Sequence, residues 1–159
     1  MSKGLFLVLA LLIVSTPGPA SGGECASSTP SKRDKCPVCG MFVYKYPDWT
    51  ARVCFKNGKV AYFDGAKDMF KYLLDLAKYA PGMGRDDVAA AYVTEYYDLA
   101  PLDASRAFFV LDSDVLGPMG RELIPLMTRE AAETFRRDHK GKRITLFQEV
   151  TPALLRELD

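Results

Sequence analysis

Asn57-Gly58, lying between apolar runs at 51–55 and 59–63, constrains the fold of this chain more than any other feature. Asn-Gly between strand-like runs marks a tight hairpin, because both residues tolerate the positive φ of a type I′ turn. A helical pattern follows at once. Ala66, Met69, Phe70, Leu73, Leu74 and Ala77 recur along one helix face over 66–79, with Asp64 placed to cap it and Pro81-Gly82 to end it. Residues 90–97 then read as a returning strand, completing one ββαβ-like unit.

The second half repeats that order more loosely. Strands are predicted over 107–111 and 122–127. Thr128 is placed to cap a helix over 129–138 that turns Ala131, Ala132 and Phe135 inward. Gly141 stops it, 143–150 reads as a last strand, and a short helical turn ends the chain. The expected class is α+β: two small related ββαβ-like units, 36–98 and 99–159, packed together. A further short strand is expected over 42–46. Met69, on the helix face, and Met127, at a strand end, are expected in the core.

The N-terminus reads differently. Lys3, an apolar run from Leu5 to Val14 and small residues from Pro17 to Gly23 have the three-part form of a Sec-type signal peptide over 1–23. The run is too short to span a bilayer as a helix. Residues 24–35 read as a flexible leader, and the chain as an exported, periplasmic or similarly extracytoplasmic protein. Glu24 fits a lipoprotein processing site poorly, so a lipid anchor on Cys25 is disfavoured. Whether Cys25 is lipidated, free or paired with Cys54 stays open. The 21 Lys+Arg and 20 Asp+Glu nearly balance, and no basic tract is interleaved with aromatics, so nucleic acid is not an expected partner. With one histidine and no serine in an elbow context, a hydrolytic triad has no raw material and no enzyme is expected.

Chemistry concentrates in Cys36-Pro37-Val38-Cys39-Gly40-Met41. A C-x-x-C turn brings two sulfurs close enough to share a metal or a disulfide. A thioredoxin-like dithiol would open a helix after a buried strand, and that context is missing. A structural zinc site would need a second ligand pair, and only Cys25, Cys54 and His139 remain. A plain disulfide suits an exported chain. Methionines beside glycine in turn-like sequence tip the balance: Gly40-Met41, Gly82-Met83-Gly84 and Gly117-Pro118-Met119-Gly120. Thioether there packs little, and thiolate with thioether is a soft donor set that selects Cu(I). His139, ending the second helix, is either a terminal residue favouring the helix dipole or an imidazole donor. The metal candidates are Cys36, Cys39, Met41, Met119 and His139, with Cu(I) as the ion and zinc as the alternative.

These motifs, taken in order, resemble the NosL family of accessory proteins for nitrous oxide reductase assembly. Cys36–Met41, then Lys59-Val60-Ala61-Tyr62-Phe63-Asp64 before a helix, is similar to the family's opening. Leu102-Asp103-Ala104-Ser105-Arg106-Ala107-Phe108-Phe109-Val110 also resembles the family. Gly117-Pro118-Met119-Gly120, Leu123-Ile124-Pro125, Ala131-Ala132 and Phe135 resemble its second half, and His139-Lys140-Gly141 its His-Gly ending. The resemblance implies a periplasmic, usually lipid-anchored metallochaperone of two small α+β units. It implies one bound Cu(I), delivered to a copper-enzyme client, nitrous oxide reductase. Carried over by position, it implies Cys39, Met119 and His139 as ligands. The chain departs in its poor lipidation signal and in its Cys-x-x-Cys form. An exported thiol/disulfide redox module and a zinc-stabilised partner-binding domain are the alternatives. The protein is read as a monomer.

Overall fold

The structure, a computed structural model, describes residues 25–159. The expected signal peptide lies outside the described residues. Strand β1 (Ala51–Phe55) is buried along its whole length, since both its neighbours are strands and a helix covers one face. It pairs antiparallel with β2 (Val60–Phe63), Ala51 opposite Phe63, and with β3 (Val88–Thr94), Arg52 opposite Tyr92. At the joining turn only Gly58 has positive φ, and its N–H donates to the Phe55 carbonyl at 2.9 Å. The turn therefore closes with one extra, left-handed glycine rather than as the expected type I′ pair. Helix α1 (Ala66–Leu74) lies against β1 and β2 and buries Met69, Phe70 and Leu73. It ends at Asp75, whose carboxylate accepts from Lys78 N–H at 3.2 Å and caps a separate α2 (Leu76–Tyr79). The helix expected over 66–79 is thus two; the restart shifts the phase, so that Leu76 is buried and Ala77 exposed.

β4 (Pro101–Asp103) adds to the edge of β3, giving the order β2-β1-β3-β4. The first sheet thus runs past residue 98, where a boundary between units is expected. The second sheet has β5 (Phe108–Leu111) between β8 (Ile124–Leu126) and β9 (Arg143–Leu146). Between β5 and β8 stands a small hairpin of β6 (Leu116–Gly117) and β7 (Gly120–Arg121), with Pro118-Met119 at its tip. Helix α3 (Arg129–Asp138) begins where expected, Thr128 Oγ1 accepting from Ala131 N–H at 3.1 Å. The last helix, α4 (Pro152–Glu157), packs against α1.

The alternation of side chains along β5 joins the halves. Phe109 and Leu111 enter the main core, where the Phe109 ring meets Phe70 at 5.2 Å between centroids. Val110 points oppositely, into a smaller cluster with Ile124, Leu126, Ala132 and Phe135. Since the main core holds residues of both halves, neither sheet buries its apolar face alone.

Three local expectations are corrected. Residues 42–46 make no strand but a single bridge, Lys35 to Phe42, followed by 3-10 turns at Val43–Lys45 and Pro47–Trp49. Only Val43 there is buried, so no strand face exists to anchor pairing. Met127 is 48% exposed rather than core. The described part of the leader is fastened: Cys25 is disulfide-bonded to Cys54, and the Arg52 guanidinium donates to the carbonyls of Ala26 and Ser28. Among the described residues no helix is long and apolar enough to cross a membrane.

Candidate metal centre

The Cys36–Met41 segment folds on itself. Gly40 N–H donates to the Cys36 carbonyl at 2.9 Å and Cys36 N–H to the Met41 carbonyl at 2.8 Å. This knuckle turns backbone N–H groups onto the sulfurs, Val38 and Cys39 toward Cys36 Sγ and Met41 toward Cys39 Sγ. Such donors favour a thiolate. The two thiols are unbridged, Cys36 buried and Cys39 half-buried, while the other two cysteines are paired with each other.

Two carboxylates complete the cluster. Cys39 Sγ donates to Asp64 Oδ1 at 3.2 Å and Cys36 Sγ to Asp68 Oδ2 at 3.3 Å. Asp64 immediately precedes the N-cap of α1, which is Gly65, and Asp68 lies in its first turn. The sequence suggests Asp64 as the cap; its side chain is instead turned to the thiol. One ligand atom from each of Cys36, Cys39, Asp64 and Asp68 lies within 4.8 Å of the others. Each thiol therefore feels both carboxylates. Burial, then the carboxylates, pushes the Cys39 thiol up to about 12 and raises Cys36 further, against the pull of the backbone N–H groups. Protonated thiols beside acceptor carboxylates are poor nucleophiles. A metal that binds here displaces the protons, and the N–H groups already face the thiolates so formed.

The other expected ligands are distributed unevenly. Met119, 44% exposed at the β6–β7 tip, accepts through its carbonyl from Lys67 Nζ at 3.1 Å. Lys67 adjoins Asp68 on α1, so the thioether hairpin is tied to the helix end that holds the thiols. Met41 is partly buried within the knuckle, and Met83 packs against the main core. His139 stands outside the four-residue cluster. It is the C-cap of α3, its Nδ1 is 3.3 Å from Asp114 Oδ1, and its ring stacks on Phe135 at 4.3 Å. Sequence reasoning missed Asp68 altogether. No local pattern gave it: Asp64 lies outside the helix, before its Gly65 N-cap, and only the tertiary fold brings both carboxylates onto the thiols.

Glu122 is the second buried carboxylate system. Its Oε1 accepts from Lys67 N–H at 2.5 Å and from Leu123 N–H at 2.8 Å. Burial raises its pKa from 4.5 to about 8, so the folded protein holds a proton here that the unfolded chain has released. Between those values the folded state binds more protons, and stability falls as pH rises. Wild type is expected to lose stability relative to Glu122→Gln from about pH 5 to about pH 8, by up to about 1.4 kcal/mol per pH unit. Thermal melts of both proteins across that window check this; parallel curves would show that Glu122 does not titrate there.

The family profile described as NosL matches residues 27–155. The chain is 31% identical over 132 residues to the copper-binding lipoprotein NosL of Stutzerimonas stutzeri, an alignment covering 78% of this chain and 65% of that protein. The chain thus spans under two thirds of that relative's length. Its fold superposes on the crystal structure of the copper chaperone NosL from Shewanella denitrificans with a TM-score of 0.65 and 26% identity. That match covers 80% of this chain and 96% of the other. The mixed helices and antiparallel sheets are those of this structural neighbour, and the motifs read from the sequence lie inside the matched region: the chain belongs to the NosL family.

Proposed function

We propose that this chain is an exported, monomeric copper metallochaperone and not an enzyme. It holds one Cu(I) between Cys39 thiolate and Met119 thioether and passes it to a copper enzyme, with nitrous oxide reductase as the client. Cys36 and Met41 are neighbours that join or substitute. The observation that carries this is the unbridged thiol pair in a knuckle, beside a disulfide that occupies the other two cysteines. A soft, low-coordinate ion suits thiolate and thioether, and the exposed Met119 offers an incoming ligand a place to join. His139 stays outside the resting site in this reading, because Asp114 and Phe135 engage its imidazole. The thiols donate to the Asp64 and Asp68 carboxylates, neighbours that disfavour the exposed thiolate a redox module needs.

Zinc is the second reading, favoured by Asp64 and Asp68. Two sulfurs and two carboxylate oxygens within 4.8 Å of one another could close a four-coordinate shell. The relative from Stutzerimonas stutzeri is named a lipoprotein, which weakens the expectation against a lipid anchor. A lipid thioether and the disulfide compete for the same Cys25 sulfur, so an anchored form would leave Cys54 unpaired.

An anaerobic Cu(I) titration of the signal-free protein against a chromophoric chelator, with Zn(II) alongside, tests the choice. One tight Cu(I) equivalent, kept in Asp64→Asn and Asp68→Asn, is expected. Tight zinc lost in those variants, with weak Cu(I), would replace the copper reading by the zinc one.

A further inference from the structure

Helix α1 starts without a cap of its own. Its N-cap residue is Gly65, which makes no side-chain cap bond and has φ −176°, an extended conformation open to any residue. Glycine there leaves space for the Glu122 carboxylate: a Cβ at 65 would run into it and force that side chain to shift. Gly117, in the β6–β7 hairpin, repeats the arrangement, because a Cβ there would stand 3.2 Å from both Cβ and Cγ of Glu122 and 3.3 Å from Trp49 Cε3. Two glycines from separate elements thus make room for one buried carboxyl group. That group supplies the missing cap from 55 residues away, through Oε1 and Lys67 N–H. Lys67 adds the return tie, donating from Nζ to the Met119 carbonyl at 3.1 Å and to the Leu158 carbonyl at 3.3 Å.

We propose that Glu122 is a positioning residue for the metal site: by capping α1 from the second half of the chain, it holds the Met119 hairpin in register with Cys36 and Cys39. The helix end it caps presents Asp64 and Asp68 to those thiols. A shift of the cap therefore displaces the thioether side relative to the thiol side. The coupling needs an acceptor oxygen and no negative charge, so Gln can replace Glu122 and Leu cannot. It rests on the reading of Cu(I) as cargo shared by Cys39 and Met119.

The test is a double-mutant cycle on Cu(I) affinity in the full signal-free protein, with Glu122→Leu, Glu122→Gln and Met119→Leu, each checked by circular dichroism. Glu122→Leu is expected to weaken Cu(I) binding on the order of tenfold, as loss of an outer partner does. Glu122→Gln should stay within about twofold of wild type, and Glu122→Leu should cost nothing further in the Met119→Leu background, because the two act on one contact. Should Glu122→Leu fail to fold, Lys67→Leu, which cuts the other tie, enters the same cycle. Wild-type affinity in the Leu variant, Gln as damaging as Leu, or an undiminished loss without Met119 overturns the coupling. A wild-type protein that takes no Cu(I) overturns the cargo reading, and the coupling with it.

Discussion

Cys39→Ser is expected to weaken Cu(I) binding by about a hundredfold or more, exceeding the roughly 10–100-fold typical when only an outer partner of a ligand is lost. Serine keeps the shape and the hydrogen bond to Asp64, but it puts a hard, protonated oxygen where a soft ion needs thiolate. Cys39 is only half-buried, so the substitution should leave the melting temperature of the metal-free protein nearly unchanged. Met119→Leu removes the thioether from an exposed hairpin tip and should cost less, about tenfold, also with little effect on folding. Cys36 differs, because it is 1% exposed and packed in the main core, so Cys36→Ser should lower stability as well as affinity. Chelator competition on folded variants reads all three. Unchanged affinity in both Cys39→Ser and Met119→Leu would sink the ligand assignment.

The largest effect on stability is expected at the other cysteine pair. Cys25 and Cys54 close a loop of sequence separation 29, for which chain entropy gives about 3–4 kcal/mol. Cys54 lies in central β1, and the bridge holds Cys25 and the residues after it beside Arg52. Losing it frees that segment and deprives the buried Arg52 guanidinium of its carbonyl acceptors at Ala26 and Ser28. Cys54→Ala should therefore lower the melting temperature by roughly 10 °C, at about 2–4 °C per kcal/mol. Thiol reductant should do the same to wild type while leaving Cys36 and Cys39, already free thiols, as they are. A melting temperature that does not move after verified reduction would mean that the bridge constrains little.

Much of the framework was readable because it rests on local chemistry. Helix α3 begins where Thr128 caps it and ends at Asp138, since a hydroxyl bonding to an N–H three residues on is encoded within one turn. β1 and β2 follow from apolar runs either side of Asn57-Gly58. The break at Asp75 was not readable, because an apolar face that continues across it hides an aspartate able to cap a new turn. The expected strand at 42–46 failed for a tertiary reason, having no strand face to bury.

The candidate site divides in the same way. Sequence alone singled out the soft-donor candidates: a Cys-x-x-Cys knuckle is a local turn, and Met119 beside glycine is indeed exposed, whereas Met83, also flanked by glycine, packs against the main core. The family followed from those motifs taken in order. Only the tertiary structure decided what surrounds the sulfurs. Asp64 meets Cys39 across 25 residues, Asp68 meets Cys36 across 32, and Glu122 caps α1 across 55. Such pairings depend on which strands pair and which helix end lies against which hairpin. No periodicity reports them, because a carboxylate bound for a buried partner and one bound for solvent occupy identical positions in a local pattern. Burial separates them, and burial belongs to the assembled core.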